Sequence, residues 1–352
     1  MPANARPHGA SLLLDAFVPL DDALREDLAS LRQPWVRDIA WLLHAPDMAT
    51  LDYVGRPTLA ELGLEEPRRR RTWLRQQEDQ GERFQQRRLA RRSQRLGIYH
   101  ETLWQWILDH APRTRLLAHN VALRENRQTL GELDLLYASG WAEGSVTEAN
   151  RGCHDPQTFH AELAIKFFLG LPQGPGDDRN AARWIGIGSF DSLAIKCHRL
   201  ASHQLPGGRS PAADRERQAL DATGTLQQRI IMPGCLYHPW NQHLPLPRLA
   251  NAGAEQGLWC HWQAWPSLIR LLPEGTRGHR LAKPHWLAPP ATEPMPLAML
   301  DHELAHSFSA PGRPAHLLLI LPDDRRCRLF VVRDDWPLAL PLPPRSASPS
   351  AH

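Results

Sequence analysis

Lysine is almost absent from this sequence: three, at positions 166, 196 and 283, stand against 38 arginines. So uniform a bias reflects the base composition of the gene, and arginine abundance alone is no sign of nucleic-acid binding. Paired cysteines are missing too. The five, at 153, 197, 235, 260 and 327, form no Cys-x-x-Cys, and an odd, scattered set suits reduced thiols better than a disulfide framework. Nothing approaches about 18 uninterrupted apolar residues, so neither a spanning helix nor a signal peptide is expected. A soluble, cytoplasmic protein is. No Gly-x-Ser-x-Gly or P-loop pattern occurs, and "IGIGS" at 185–189 lacks the strand-to-helix setting and third glycine of a dinucleotide fingerprint.

What is present begins with size and punctuation. The 352 residues can bury a substantial core, and the net charge of +3 permits a polyanionic partner without requiring one. Helical periodicity runs through "LREDLASL" and "PWVRDIAWLL", with Pro34 suited to a first turn. Residues 67–97 hold 11 arginines against three acids and widely spaced apolar positions, which predicts a helix with little core contact. That run could track phosphates or simply be a solvated face. "IYHETLWQWILDHA", 98–111, is a packed helix. Three strands follow, 115–125, 129–139 and 158–169, then a helix over 189–205 with Ser189 as N-cap. Trp- and Pro-rich segments lead to a hairpin, "AHLLLILPDDRRCRLFVVRDD". Core packing is the expected role of the 13 tryptophans. Cys235, His238, Cys260 and His261 carry only a weak Cys-x-x-His spacing, and buried thiols with ordinary histidines are favoured over zinc.

Chemistry concentrates where the strands are acidic. Glu132 and Asp134 share one face of "GELDLLY", Glu162 and Lys166 one face of "HAELAIKFFLG", and Glu101 lies in the preceding helix. Carboxylates from adjacent elements make an oxygen-rich site suited to Mg²⁺ or Mn²⁺. Such an ion binds a phosphodiester oxygen and acidifies an attacking water, and a nearby ammonium stabilises developing charge.

At these residues the sequence resembles the PD-(D/E)XK nuclease superfamily. More closely, "PWVRDIAWLL", "RLGIYHETL", "GELDLLY", "HAELAIKFFLG" and "DSLAIKCHRLASHQL" together resemble the bacterial domain-of-unknown-function family numbered 1853, over roughly residues 30–290. The superfamily likeness implies an α/β fold with a restriction-endonuclease-like αβββαβ core and metal-dependent cleavage of DNA, or less readily RNA. It makes Asp134 and Glu162 the metal ligands, Lys166 the catalytic lysine and Glu101 an assisting acid, with Mg²⁺ or Mn²⁺ as cofactor. The helix carrying Lys196 or Gln204 would close the site. The expected layout is a helical lead at 11–94, the core at 95–230 and a β-rich portion at 231–335. Disordered ends are expected at 1–10 and 336–352.

One departure keeps alternatives open. The superfamily places its second acid two residues before the lysine, and here that residue is Ala164. Glu162 is four residues before Lys166, about 13 Å along a regular strand, against roughly 6 Å of lysine reach. A β-bulge would ease the gap. Otherwise Glu132 could lie opposite Lys166 as an ordinary cross-strand pair, and the fold would be a degenerate module binding nucleic acid or a protein partner.

Overall fold

The architecture comes from a computed structural model, which describes residues 8–90, 93, 95–125, 128–140, 157–220, 222, 225–309 and 313–341. Of the ends expected to be disordered, residues 1–7 and 342–352 lie outside this set, as does Cys153. Within those expected ends, helix α1 spans His8–Asp15, and Trp336 is buried.

The helical lead continues with α2 (Asp22–Leu28), α3 (Pro34–His44), α4 (Leu59–Leu62), α5 (Pro67–Glu78) and α6 (Gly81–Ala90). Pro34 opens α3, where its missing N–H and fixed φ cost nothing. The arginine-rich stretch is two helices rather than one, and its core contact is larger than expected. Trp73, Leu74 and Phe84 are buried, Phe84 stacks on Trp35 at 4.1 Å between centroids, and Trp106 meets both rings edge-on. A few aromatics bury enough area to anchor an otherwise polar helix. Arg70 is buried as well, its Nε donating to Asp27 at 2.5 Å.

Helix α7 (Leu96–His110) precedes strands β1 (Thr114–Glu125), β2 (Gln128–Ser139) and β3 (Gln157–Leu163). β1, β2 and β3 form an antiparallel meander, and β6 (Leu226–Ile231) completes a four-stranded sheet parallel to β3. Between them come β4 (Lys166–Gly170) and β5 (Trp184–Gly186). Helix α8 (Leu193–Arg199) then runs through a wide π-helical segment, 200–204, into a last turn α9 (Leu205–Gly207), and α10 (Pro211–Ala219) follows. Its N-cap is Ser192, not Ser189, which has φ 58° in the preceding turn.

The expected strand 158–169 is broken. β3 ends at Leu163, and β4 belongs to a second sheet of eight strands. That sheet also contains β7 (Gly234–Pro239), β8 (Glu255–His261), β9 (Arg277–Leu281), β10 (Met295–Pro296), β11 (Ala315–Ile320) and β12 (Arg326–Val332). α11 (Trp265–Ile269) and α12 (Leu297–Phe308) pack among them. The cause of the break lies in the neighbouring strand. β3 pairs with β6 and β4 with β7, both parallel, and both pairs change sheets at one level. There Ala164 donates to Ile231 O, Lys166 to Pro233 O, and Pro233 has no N–H to carry the ladder on. β4 and β5, from the expected core at 95–230, thus join the sheet built otherwise from residues 234–332.

A candidate metal centre between two strands and a wide-turned helix

Pairing of β2 with β3 runs from Ser139↔Gln157 to Leu135↔Ala161, and its next step brings Asp134 level with Glu162. Asp134 Oδ2 accepts from Leu163 N at 2.8 Å, which holds it near the Glu162 carboxyl. Glu162 is fully buried and Asp134 half-buried. Burial, with the Glu162 charge added, pushes Asp134 up to about 7. Burial does the same to Glu162, also to about 7, with the Lys196 charge opposing it. Burial and like charge thus both oppose full ionisation of the pair.

Glu162 is held from behind. Gln228 Nε2 donates to the Leu205 carbonyl and, at 3.2 Å, to His160 Nδ1. A carbonyl accepts only, so the amide orientation follows, and His160 must carry its proton on Nε2, which lies 2.8 Å from Glu162 Oε1. Burial lowers the His160 pKa to about 4, which keeps the ring neutral. Gly208 seals this arrangement: a Cβ there would stand 2.3 Å from His160 Nδ1.

From the front, Gln204 Nε2 donates to Glu162 Oε2 at 2.6 Å and Lys196 Nζ donates to Gln204 Oε1 at 3.0 Å. Eight residues of regular α-helix would leave Lys196 and Gln204 about 80° apart. The π segment, with Leu205 N bonded back to Leu200 O, under-rotates the chain and brings both to one face. Burial lowers the Lys196 pKa, with the nearby Lys166 charge as the next cause.

The expected roles divide accordingly. Asp134 and Glu162, expected as the metal ligands, lie level on neighbouring strands. Lys166 does not join them: it sits across the break between sheets, and its Nζ contacts Asp191 at 2.5 Å. The lysine beside the carboxylates is Lys196. Glu132 is exposed, and the pairing with Lys166 weighed from sequence is absent among the described residues, Lys166 binding Asp191 instead. Glu101 is half-buried on α7. Among the described residues no group of three or more His, Cys, Asp or Glu is arranged to hold a metal. His160, Gln228 and Asp191 escaped sequence reasoning. His160 had a signal, since it stands two residues before Glu162 on the same face of a strand.

Other expected features have ordinary settings. His238 Nε2 bonds Gln256 Oε1, His261 Nε2 bonds Trp336 O, and Cys235 and Cys260 are buried in different apolar clusters. No described helix is long and apolar enough to cross a membrane.

No curated protein and no solved structure matches this chain. One family model does, over residues 37–332. That span takes in both sheets and every residue of the carboxylate cluster, and the chain belongs to the family described as a domain of unknown function, DUF1853.

Proposed function

We propose that this chain is a metal-dependent nuclease that hydrolyses phosphodiester bonds in DNA, or less readily RNA. The observation that carries the reading is geometric: half-buried Asp134 lies level with fully buried Glu162 on the neighbouring strand, and Gln204 links Glu162 to Lys196. Two carboxylates that burial has left under-charged fit a divalent cation, and an all-oxygen donor set suits Mg²⁺ or Mn²⁺. Two protein carboxylates are enough for an ion that keeps waters and substrate oxygens. With β4 and β5 set aside as strands of the other sheet, the order α7, β1–β3, α8, β6 supports a reading as the αβββαβ arrangement of PD-(D/E)XK nucleases.

Asp134 and Glu162 would hold the ion. When bound, it would supply Lewis acidity toward a phosphodiester oxygen and an attacking water. His160 and Gln204 fix the Glu162 carboxylate from two sides, so that its oxygens are set before any ligand arrives. Lys196 takes the role expected of Lys166. Its ammonium lies beside the carboxylates with a lowered pKa, which suits proton exchange with water or neutralisation of charge developing on phosphorus. Lys166 is neutralised by Asp191.

The displaced lysine and the absence of a third carboxylate among the described residues support a second reading, a degenerate module that binds nucleic acid or protein without cutting. Calorimetry with Mn²⁺ and a Mg²⁺-dependent DNA cleavage assay separate the two. Under the nuclease reading Asp134→Asn and Glu162→Gln each abolish metal binding. Lys196→Ala loses at least about 100-fold in rate, the usual worth of a positioned proton-transfer group. Lys166→Ala retains more than Lys196→Ala. Metal binding without cleavage of any DNA or RNA supports the module; absence of binding by the folded wild type defeats the nuclease reading.

A further inference from the structure

Phe190 is 89% exposed and is the sole aromatic among the large, exposed apolar side chains of the described residues. A single exposed apolar residue is ordinary on a protein surface; the setting of this one is not. The loop that carries it is tied down on every side. Gly186 N donates to Asp191 O, Ser189 N to Gly186 O, Trp336 Nε1 to Ile187 O at 3.0 Å and Leu338 N to Ser189 Oγ at 3.1 Å. Ser189 adopts a left-handed φ of 58° to turn the chain outward. The ring leans on Gly188, where a Cβ would come within 2.9 Å of Phe190 Cδ2. One side is thus backed by main chain while the rest faces solvent.

The loop is joined through its own residues to the elements that carry the carboxylate cluster. Asp191 holds Lys166, and Ser192 caps the helix that presents Lys196 and Gln204. A rigid aromatic platform joined to the elements of a phosphodiester site matches one ligand chemistry, the π-face of a nucleobase. Bases inside a duplex have both faces covered by neighbours, so such a platform serves only an unpaired base. Resting on the nuclease reading above, we propose that Phe190 stacks on a nucleobase next to the scissile phosphate, and that the substrate is single-stranded at this site. Lys166 and Asp191 then hold the loop at a fixed height above the metal ligands.

Fluorescence anisotropy on the full chain tests this, with a fluorescein-labelled mixed-sequence single strand and a blunt duplex of the same sequence, in Ca²⁺. Wild type is expected to bind the single strand more tightly. Phe190→Ala weakens that binding by about tenfold, in line with the loss of one stacked base, leaves duplex binding alone, and Phe190→Trp restores it. Far-UV circular dichroism checks folding, which an exposed ring should not affect. Single-strand affinity unchanged in Phe190→Ala overturns the inference and leaves the nuclease reading standing. Wild type that binds neither nucleic acid overturns both. If light scattering shows that Phe190→Ala turns a dimer into a monomer, the ring belongs to a contact between copies and the inference falls.

Discussion

Asp134 is a residue whose ionisation opposes folding. Its carboxyl is raised to about 7 when folded, mainly by burial, against about 4 in an unfolded chain. The folded state therefore binds the extra proton between these values. The stabilisation is fully present below about pH 4 and is lost as pH rises through about 7. Asn keeps the acceptor for Leu163 N and removes the charge. Asp134→Asn should therefore be more stable than wild type at pH 8, by on the order of 1–2 kcal/mol in urea melts. The gain should shrink toward pH 5 and vanish when saturating Mn²⁺ stabilises the wild type. Equal stability of the two proteins at every pH would mean that the carboxylates repel less than their burial implies. Both acids were legible in the sequence, because side chains alternate along strands and each sat among apolar neighbours. The strand through Lys166 was misread for a physical reason: nothing in "HAELAIKFFLG" weakens its strand character, and the residue that ends the ladder is Pro233, far along the chain.

Among the elements, the helix over 193–207 depends on its wide turn. Gln204→Ala should remove the bridge between Glu162 and Lys196 that this turn sets up. Far-UV circular dichroism would stay close to wild type while Mn²⁺ affinity falls tenfold or more, as when a metal ligand loses its supporting hydrogen bond. Retained affinity would show that Gln204 is dispensable. The helical lead carries its own buried charge: Asp27 Oδ2 accepts from Arg70 Nε at 2.5 Å and lies 2.7 Å from His44 Nε2, linking α2, α3 and α5. Asp27→Ala strands a buried guanidinium and should cost about 3–5 kcal/mol in chemical denaturation, whereas Arg71→Ala, at the exposed pair with Glu26, should change stability little. The helices were readable from periodicity. Their depth of packing was not, because a Trp or Phe every ten residues looks sparse in sequence yet suffices to bury one face.

At the scale of the molecule, two sheets share a pair of strands that cross between them side by side, so neither can melt without breaking the other's ladder. Tryptophan emission and far-UV ellipticity should follow a single transition in urea, and a fragment of residues 95–230 should fail to fold, since β4 would lose β7. Two separated transitions would contradict this. The α/β class could be read from element order, but the boundary drawn near 230 could not, because a sheet change inside a run of apolar residues leaves no mark in composition. The same crossing has a consequence for descent. When an acid and a lysine share one strand, their spacing is inherited as a unit, and any insertion between them destroys the site. Here the residues after Glu162 lead into another sheet and the ammonium arrives from a helix. The two can drift independently, so relatives of this chain that keep the chemistry are under no obligation to keep the spelling.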